Sequence, residues 1–497
     1  MDARPMMLLP LLSLVFAVGV SAQNKNVLLV VAEDAGVLGE YGKGVTMPNL
    51  NAIGNRSVVF RYGFSSSSSS SPSRSAILTG LPPHQNGMYG LAHSIHHYSS
   101  FRNVQSLSTI LSAKGIHTGV VGEKRMSPDT VYRFDFEATE DQYDADQIGR
   151  NITVMKEAIR TFLSSRNDKS FFLYFSYYDA HRCSRQKYGQ FCEEFGDGGR
   201  NNGLIPDWTP VTFGPNDVNV PYYLPNTAVT RQELANMYKS FSRMDQALGI
   251  VIRELSEANL LDNTLIIVTS ATAISFPAAK NNLYEPSTRQ PFMISSPFHK
   301  ENWGFVSDAM VSGLDLFPTI LEWFNVPYPD TSRLLTGRSL LPLTVDPRNS
   351  SLFDHVFASH NSDEVTAYYP MRSVRTPHYR LIHNLNSGAP FPIASDVFQS
   401  PTFTELLNNT NNGRTTHWYK SLGQYYNRDE LELYDLQIDP METTNVANDP
   451  SYSAVVKQLL EQLVSWQNVT RDPWLCRPEG SIVNSRCVAD GNGLALV

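Results

Sequence analysis

Two short apolar runs in the 497-residue chain end in side chains able to do chemistry. Asn26–Ala32 (NVLLVVA) runs into Glu33 and Asp34, and Phe171–Ser176 (FFLYFS) runs toward Asp179, Ala180 and His181. An apolar strand that ends in acids is how many α/β enzymes present ligands at the carboxyl edge of a sheet. Thr118–Gly122 leads into Glu123, Lys124 and Arg125, a compact cluster of opposite charges. Leu265–Ser270 ends differently, in Ala271 and Thr272, neither of which carries a carboxylate. Ser70 stands near the end of an unbroken serine run, Ser65–Ser71, four residues before Arg74. Its hydroxyl is a poor nucleophile unless a base takes its proton. Taken alone, the serine run reads as a flexible loop.

The elements that must carry these side chains follow from the same pattern. Short, continuous apolar runs are strands buried on both faces. Helical stretches lie between them, around Val154 to Leu163 and Gln232 to Asn259. Alternating strands and helices imply an α/β fold, with a large, mostly parallel sheet flanked by helices. After about residue 375 the texture changes. Tyr379–Leu385 and Glu432–Leu436 read as strands of a smaller, antiparallel sheet, and Val455 to Trp466 as an amphipathic helix. The expected organisation is a catalytic-type domain over residues 23–375 and an α+β subdomain over 376–497.

The chain is too long for one ordinary domain and long enough for large cores. A formal net charge of -8 argues against a nucleic-acid surface. A polyanionic ligand would need a local basic pocket against that field. Arg4, the apolar run Met6–Val20 and the exit Ser21-Ala22-Gln23 form a signal peptide over residues 1–22. The run is short for a membrane anchor, and no later stretch reaches the ~18 apolar residues of a span. N-x-S/T sites occur at Asn55, Asn151, Asn349, Asn408 and Asn468. Cys183 lies near Cys192 and Cys476 near Cys487. Two local disulfide loops fit an oxidising compartment, and neither pair has zinc-ligand spacing with a His partner. The secretory pathway follows, with a lysosomal or extracellular destination.

The segment Ser70–Gly80 (SSPSRSAILTG) resembles the sulfatase signature, C-x-P-S-R followed by a helix and L-T-G. Four more segments resemble the N-sulfoglucosamine sulfohydrolase (heparan N-sulfatase) branch of that family. They are His84–Leu91 (HQNGMYGL), Ile205–Pro210 (IPDWTP), Leu335–Pro342 (LTGRSLLP) and Tyr369–Val374 (YPMRSV). The resemblance runs from about Asn26 to Cys487. It implies the alkaline-phosphatase-like sulfatase fold, a formylglycine made from the signature Cys, and a calcium ion in a cage of oxygen ligands. Lys, His and Arg would neutralise the sulfate and protonate the leaving group.

Against that plan, six positions depart. Ser70 stands at the formylglycine position, so no formylglycine is expected from thiol-dependent maturation. Of the expected Asp-Asp pair, Asp34 is kept, while Glu33 adds a methylene and is a weak ligand. The later Asp-Asn pair is replaced by Ala271 and Thr272, so calcium is expected to be weakly bound or absent. The G-K-x-H motif reads Gly122-Glu123-Lys124-Arg125. Glu123 there opposes sulfate; at about 4 Å and an effective dielectric of about 20 the contact changes from roughly 4 kcal/mol attractive to a similar repulsion. Arg125 keeps a charge but moves no proton near neutral pH. Arg74, His181 and Lys280 survive as catalytic or sulfate-binding positions, and Glu364 falls in a substrate-contacting region. Each survivor also reads as structural inheritance.

The resemblance therefore implies an N-sulfoglucosamine sulfohydrolase-like pseudoenzyme. It would bind a sulfated glycan through Arg74, Lys280, Lys124 and Arg125, or act as a homodimer or dimer with a homologue. The alternative is an active sulfohydrolase removing N-linked sulfate from glucosamine in heparan sulfate. A third reading makes Ser70 a phosphate-type nucleophile, which would need metals this site is not built to hold.

Overall fold

The computed structural model describes residues 24–36, 45, 47–183 and 187–476, and the strand pair Gly480–Val483 and Arg486–Ala489. The leader expected at 1–22 and the side chain of Cys487 lie outside the described residues.

Eight strands form the main sheet: β1 (Asn26–Ala32), β2 (Val58–Phe64), β3 (His117–Gly122), β4 (Phe136–Ala138), β5 (Phe171–Ser176), β6 (Thr264–Ser270), β7 (Phe292–Ser295) and β8 (Val306–Ser312). Their order is β4-β3-β5-β1-β6-β7-β2-β8. The four apolar runs read from sequence are the adjacent strands β3, β5, β1 and β6, all mutually parallel. Only β7 runs against its neighbours, β6 and β2. Alternate residues of β1 serve two cores. Leu28 and Val30 join one apolar cluster, and Val27, Leu29 and Val31 the other. A strand buried on both faces has no polar side to show, hence the unbroken apolar run. The long helix Ala228–Glu257 and the helix Ile152–Ser165 cover the first face.

Registry brings four strand ends together. Gly122 of β3 pairs with Ser176 of β5, Val31 of β1 with the same Ser176, and Ala32 with Ser270 of β6. Gly122 adopts φ +101°, and a Cβ there would lie 1.8 Å from the Ser176 carbonyl oxygen. Only glycine lets β3 turn away against β5 at this point.

A second sheet is antiparallel, in the order β12-β11-β10-β9. Its strands are β9 (Val356–Ser362), β10 (Tyr368–Arg375), β11 (Tyr379–Asn384) and β12 (Leu431–Asp435). The helix Ser453–Val469 packs Leu459, Leu463 and Trp466 onto Val374, Leu381 and Leu433 of this sheet. Cys183 and Cys192 form a disulfide with Cα atoms 5.2 Å apart. No helix among the described residues is long and apolar enough to cross a membrane. Asn55, Asn349, Asn408 and Asn468 are exposed, while Asn151 is half-buried and caps the helix Ile152–Ser165 with its side-chain oxygen.

The serine run is not a flexible loop. Ser65 to Ser71 are all buried between the two sheets, and Ser70 and Ser71 begin the helix Ser70–Thr79. Ser65 N–H donates to the Thr288 carbonyl, Ser68 bonds His360 of β9 at 3.1 Å, and Ser69 donates to Asp363 at 2.6 Å. Small side chains fit where two sheets approach closely, and the hydroxyls of Ser68 and Ser69 find partners there while those of Ser66 and Ser67 do not. Composition alone cannot distinguish that role from disorder.

Candidate active site

The ends of β1, β3 and β5 and the start of the helix Ser70–Thr79 open onto one cavity of about 450 Å³. Glu33, Ser70, Glu123, Arg125, His181, Lys280 and Glu364 all line it, so the topology does assemble the positions picked out in the sequence. Asp34, Arg74 and Thr272 lie behind the wall, fully or almost fully buried.

Arg74 is the centre of one charge network. Its Nη2 donates to Glu33 Oε2 at 2.5 Å and to Glu123 Oε2 at 2.6 Å. Its Nη1 donates to the Tyr174 hydroxyl at 2.8 Å and to Ser176 Oγ at 2.5 Å. Glu123 Oε1 lies 2.5 Å from Arg125 Nε, and the Arg125 guanidinium stacks 4.3 Å from the Tyr178 ring centroid. Two guanidiniums thus meet two carboxylates inside the protein. Burial would raise the Glu33 carboxyl, but Arg74 above all, with His181 and Arg125, holds it at about 2. Burial pushes the Glu123 carboxyl up to about 8, against the pull of Arg125 and Arg74. The expected repulsion between Glu123 and an incoming sulfate is therefore changed in two ways: the Glu123 carboxyl turns to Arg74 and Arg125, and below about pH 8 it is protonated. Ser70 Oγ accepts from Arg74 Nε at 3.4 Å, and Glu33 lines the same cavity. A carboxylate held at about 2 is too weak a base to activate that hydroxyl.

Lys280 is the centre of a second network. Its ammonium lies 2.8 Å from Asp396 Oδ2, 3.6 Å from Asp34 Oδ2, 3.4 Å from Ser275 Oγ and 3.5 Å from His181 Nε2. His181 Nδ1 sits 2.7 Å from the Arg182 carbonyl, which assigns the ring proton to Nδ1 and leaves Nε2 facing Lys280. Burial and the nearby ammonium lower the imidazole to about 3, so it is neutral near pH 7. Asp34, at φ 49°, accepts from the Thr272 hydroxyl at 2.9 Å. Burial pushes its carboxyl up to about 7, with Lys280 pulling the other way. Burial also opposes ionisation of Asp396, but Lys280 outweighs it and holds that carboxyl well below the usual range.

Asp34, His181 and Asp396 form a possible metal site, each offering a ligand atom within 4.8 Å of the others. Calcium takes about six to eight oxygen ligands. Here Ala271 supplies none from its side chain and packs in the apolar core. The Thr272 hydroxyl is spent as a donor to Asp34, and an ammonium stands among the three ligands. The set as arranged does not fit a calcium ion.

Other expected residues are placed as follows. Lys124 is buried away from the cavity, paired with Asp129 at 3.1 Å and Glu137 at 3.0 Å, and cannot contribute to an anion pocket. Neighbouring side chains at a strand end diverge. Glu364 accepts from the Ser395 backbone N–H at 3.0 Å and from its hydroxyl. Asp179 is clamped by Arg150 and by Arg243, the latter at 2.6 Å, and holds the β5 turn rather than the cavity. Asp396, Asp363, His93 and Tyr178 also line the site and were not singled out from sequence. Asp363 adjoins Glu364 in a segment that sequence did flag. Asp396 sits in the four-residue helix Ser395–Phe398, too short for a period or motif to mark it.

Family models match two regions: "Sulfatase" over residues 25–326, and "N-sulphoglucosamine sulphohydrolase, C-terminal" over 278–393 and 403–469. The chain is 49% identical over 470 residues to human N-sulphoglucosamine sulphohydrolase, covering 92% of this chain and 93% of that protein. It is 23% identical to an ulvan-active sulfatase of Formosa agariphila, covering 93% and 78%. A structure solved with its substrate D-glucosamine-2-N,6-O-disulfate superposes with TM-score 0.64 at 18% identity, covering 90% of this chain and 98% of that one. A putative sulfatase from Bacteroides fragilis superposes with TM-score 0.63 at 19% identity, covering 91% and 97%. These two show the shared alkaline-phosphatase-like architecture, a mostly parallel eight-stranded sheet with a separate four-stranded antiparallel one. The matched regions, and half-identity across nearly the whole of a human relative, establish that the chain belongs to the sulfatase family, in its N-sulphoglucosamine sulphohydrolase branch.

Proposed function

We propose that this N-sulphoglucosamine sulphohydrolase-like protein is a pseudoenzyme of the secretory pathway that binds a sulfated glycan end, or a homologous chain, without hydrolysing sulfate. One observation carries the reading: the charges that should meet a sulfate meet one another. Arg74 is held by Glu33 at 2.5 Å and Glu123 at 2.6 Å, and Lys280 by Asp396 at 2.8 Å. A sulfate entering the cavity must compete with the Glu33 and Asp396 carboxylates and with the Glu123 carboxyl, all already in contact. Loss of one such transition-state stabiliser commonly costs about a hundredfold or more in rate. Here the nucleophile is missing as well, since Ser70 has only a weak base beside it. Arg125, Lys280 and Glu364 remain at the cavity wall as candidate contacts for a sulfated sugar.

The test is release of sulfate from a glucosamine N-sulfate substrate by the purified chain, with calcium measured on the same sample. No release above the blank, with calcium well below one per chain, is the expected result. Turnover with stoichiometric calcium would overturn the reading.

The active-hydrolase alternative is favoured by the 49% identity to the human sulphohydrolase. It is separated by Ser70→Cys, produced with formylglycine maturation. The pseudoenzyme reading expects no activity from this variant, because the charge networks remain. Clear rescue would mean that Ser70 alone limits the site.

A further inference from the structure

We propose that Lys280 is the resident cation of this site, its ammonium standing where a divalent ion would sit and making the protein indifferent to calcium. The inference deepens the non-hydrolytic reading and rests on it. The side chains whose ligand atoms converge to within 4.8 Å are Asp34, His181 and Asp396. The Lys280 ammonium approaches all three, at 3.6, 3.5 and 2.8 Å. Two buried carboxylates so close together cannot both stay ionised without a positive charge between them. A divalent ion is one way to supply it, and an ammonium tethered to the chain is another.

Other features adapt the surroundings to the smaller charge. An ammonium has three donors and needs few acceptors: Asp396 and Ser275 accept from it, and the Asp34 carboxylate lies 3.6 Å away as a charge partner. Calcium would need several more oxygens. Ala271 instead gives a methyl group to the apolar core, and the Thr272 hydroxyl points its hydrogen at Asp34. A hydroxyl that donates to the carboxylate stabilises it without metal. The segment that delivers Lys280 is also held in place. Ala278 adopts φ 61° and Asn281 φ 62° on either side of it, and Lys280 N–H closes a turn onto the Phe276 carbonyl at 3.1 Å. Non-glycine residues rarely adopt the left-handed region, so this conformation persists because its surroundings enforce it.

The experiment is thermal unfolding of the full chain in chelator and in millimolar calcium, with calcium binding measured by calorimetry and sulfate release assayed on every sample. The wild-type chain should show the same Tm in both buffers and no saturable calcium binding. Lys280→Ala and Lys280→Gln leave the carboxylates uncompensated. They should lose stability in chelator, gain about 3 °C or more on adding calcium, and bind the ion saturably. Lys280→Arg keeps the charge and should stay indifferent to calcium. Variants that remain calcium-indifferent, or that fail to fold even with calcium, would overturn the proposal. Wild-type protein that binds calcium but releases no sulfate defeats the resident-cation inference alone. Wild-type protein that binds calcium and releases sulfate defeats the non-hydrolytic reading as well.

Discussion

Glu123 sets the character of the cavity because it is an acid between two arginines. Its carboxylate lies within 2.6 Å of both guanidiniums, so either arginine can serve an outside anion only by giving up this contact. Glu123→Gln should free Arg125 in particular, since Arg74 keeps Glu33. At pH 9, above the value of about 8 to which burial pushes the carboxyl, the variant should bind inorganic sulfate about tenfold more tightly than wild type, a difference of about 1.4 kcal/mol. Calorimetric titration checks this, and equal affinities would mean that Arg125 is not the anion contact. Much of the residue-level site was legible from types and spacing, because Glu33, Ser70, Glu123 and His181 follow strand ends or a recognisable signature. Their pairing was not. A sequence shows that an acid has replaced a base at 123, but not that the acid turns to Arg74 and Arg125 while Lys124 turns to Glu137.

Strand ends do the positioning, and their geometry is unforgiving. Gly122→Ala would bring a methyl group to 1.8 Å from the Ser176 carbonyl oxygen, against backbone that cannot move without parting β3 from β5. The variant should lose soluble expression, or lower the Tm by at least about 5 °C, corresponding to several kcal/mol of strain. A near-wild-type Tm would show that this corner can relax. The central strands β1, β3, β5 and β6 were legible because burial on both faces demands continuous apolar residues. β2, β7 and β8 were not, for physical reasons. β7 has four residues, too few for a period to register. β2 and β8 mix exposed and buried positions, with Arg61 and Asp308 paired at the surface at 2.8 Å.

The two sheets are joined by a chain of buried polar contacts at the C-terminal helix. Arg372 of β10 donates to Asp472 at 2.5 and 2.9 Å, both side chains fully buried. His84, in the short helix Pro83–Asn86 that follows the helix Ser70–Thr79, bonds the Thr470 hydroxyl at 2.8 Å and packs edge-on against Trp466 at 4.9 Å. Asp472→Asn breaks a buried pair and should cost about 3–5 kcal/mol, read as a lowered midpoint in denaturant unfolding. An unchanged midpoint would mean that the pair adds nothing to the joint. His84 gives a pH signature. Burial lowers its imidazole to about 3, below the unfolded value near 6.5. A lowered base contributes stability that is present above pH 6.5 and lost progressively as pH falls from 6.5 toward 3. By pH 5 the loss is about 2 kcal/mol. The destabilisation caused by His84→Gln should therefore be about 2 kcal/mol smaller at pH 5 than at pH 7.5. The comparison must be between variant and wild type, because Asp315, pushed by burial up to about 7, moves whole-protein stability in the opposite direction over this range. None of these joints was visible in sequence, since each links segments far apart along the chain. One consequence concerns biosynthesis. Val27 of β1 pairs with Phe172 on one side and Leu265 on the other, so its second neighbour is translated nearly half a chain length later. A nascent polypeptide halted before β6 should expose one edge of the apolar run Val27 to Ala32, and chains stalled there are expected to co-purify with chaperones while chains extended past Ser270 are not.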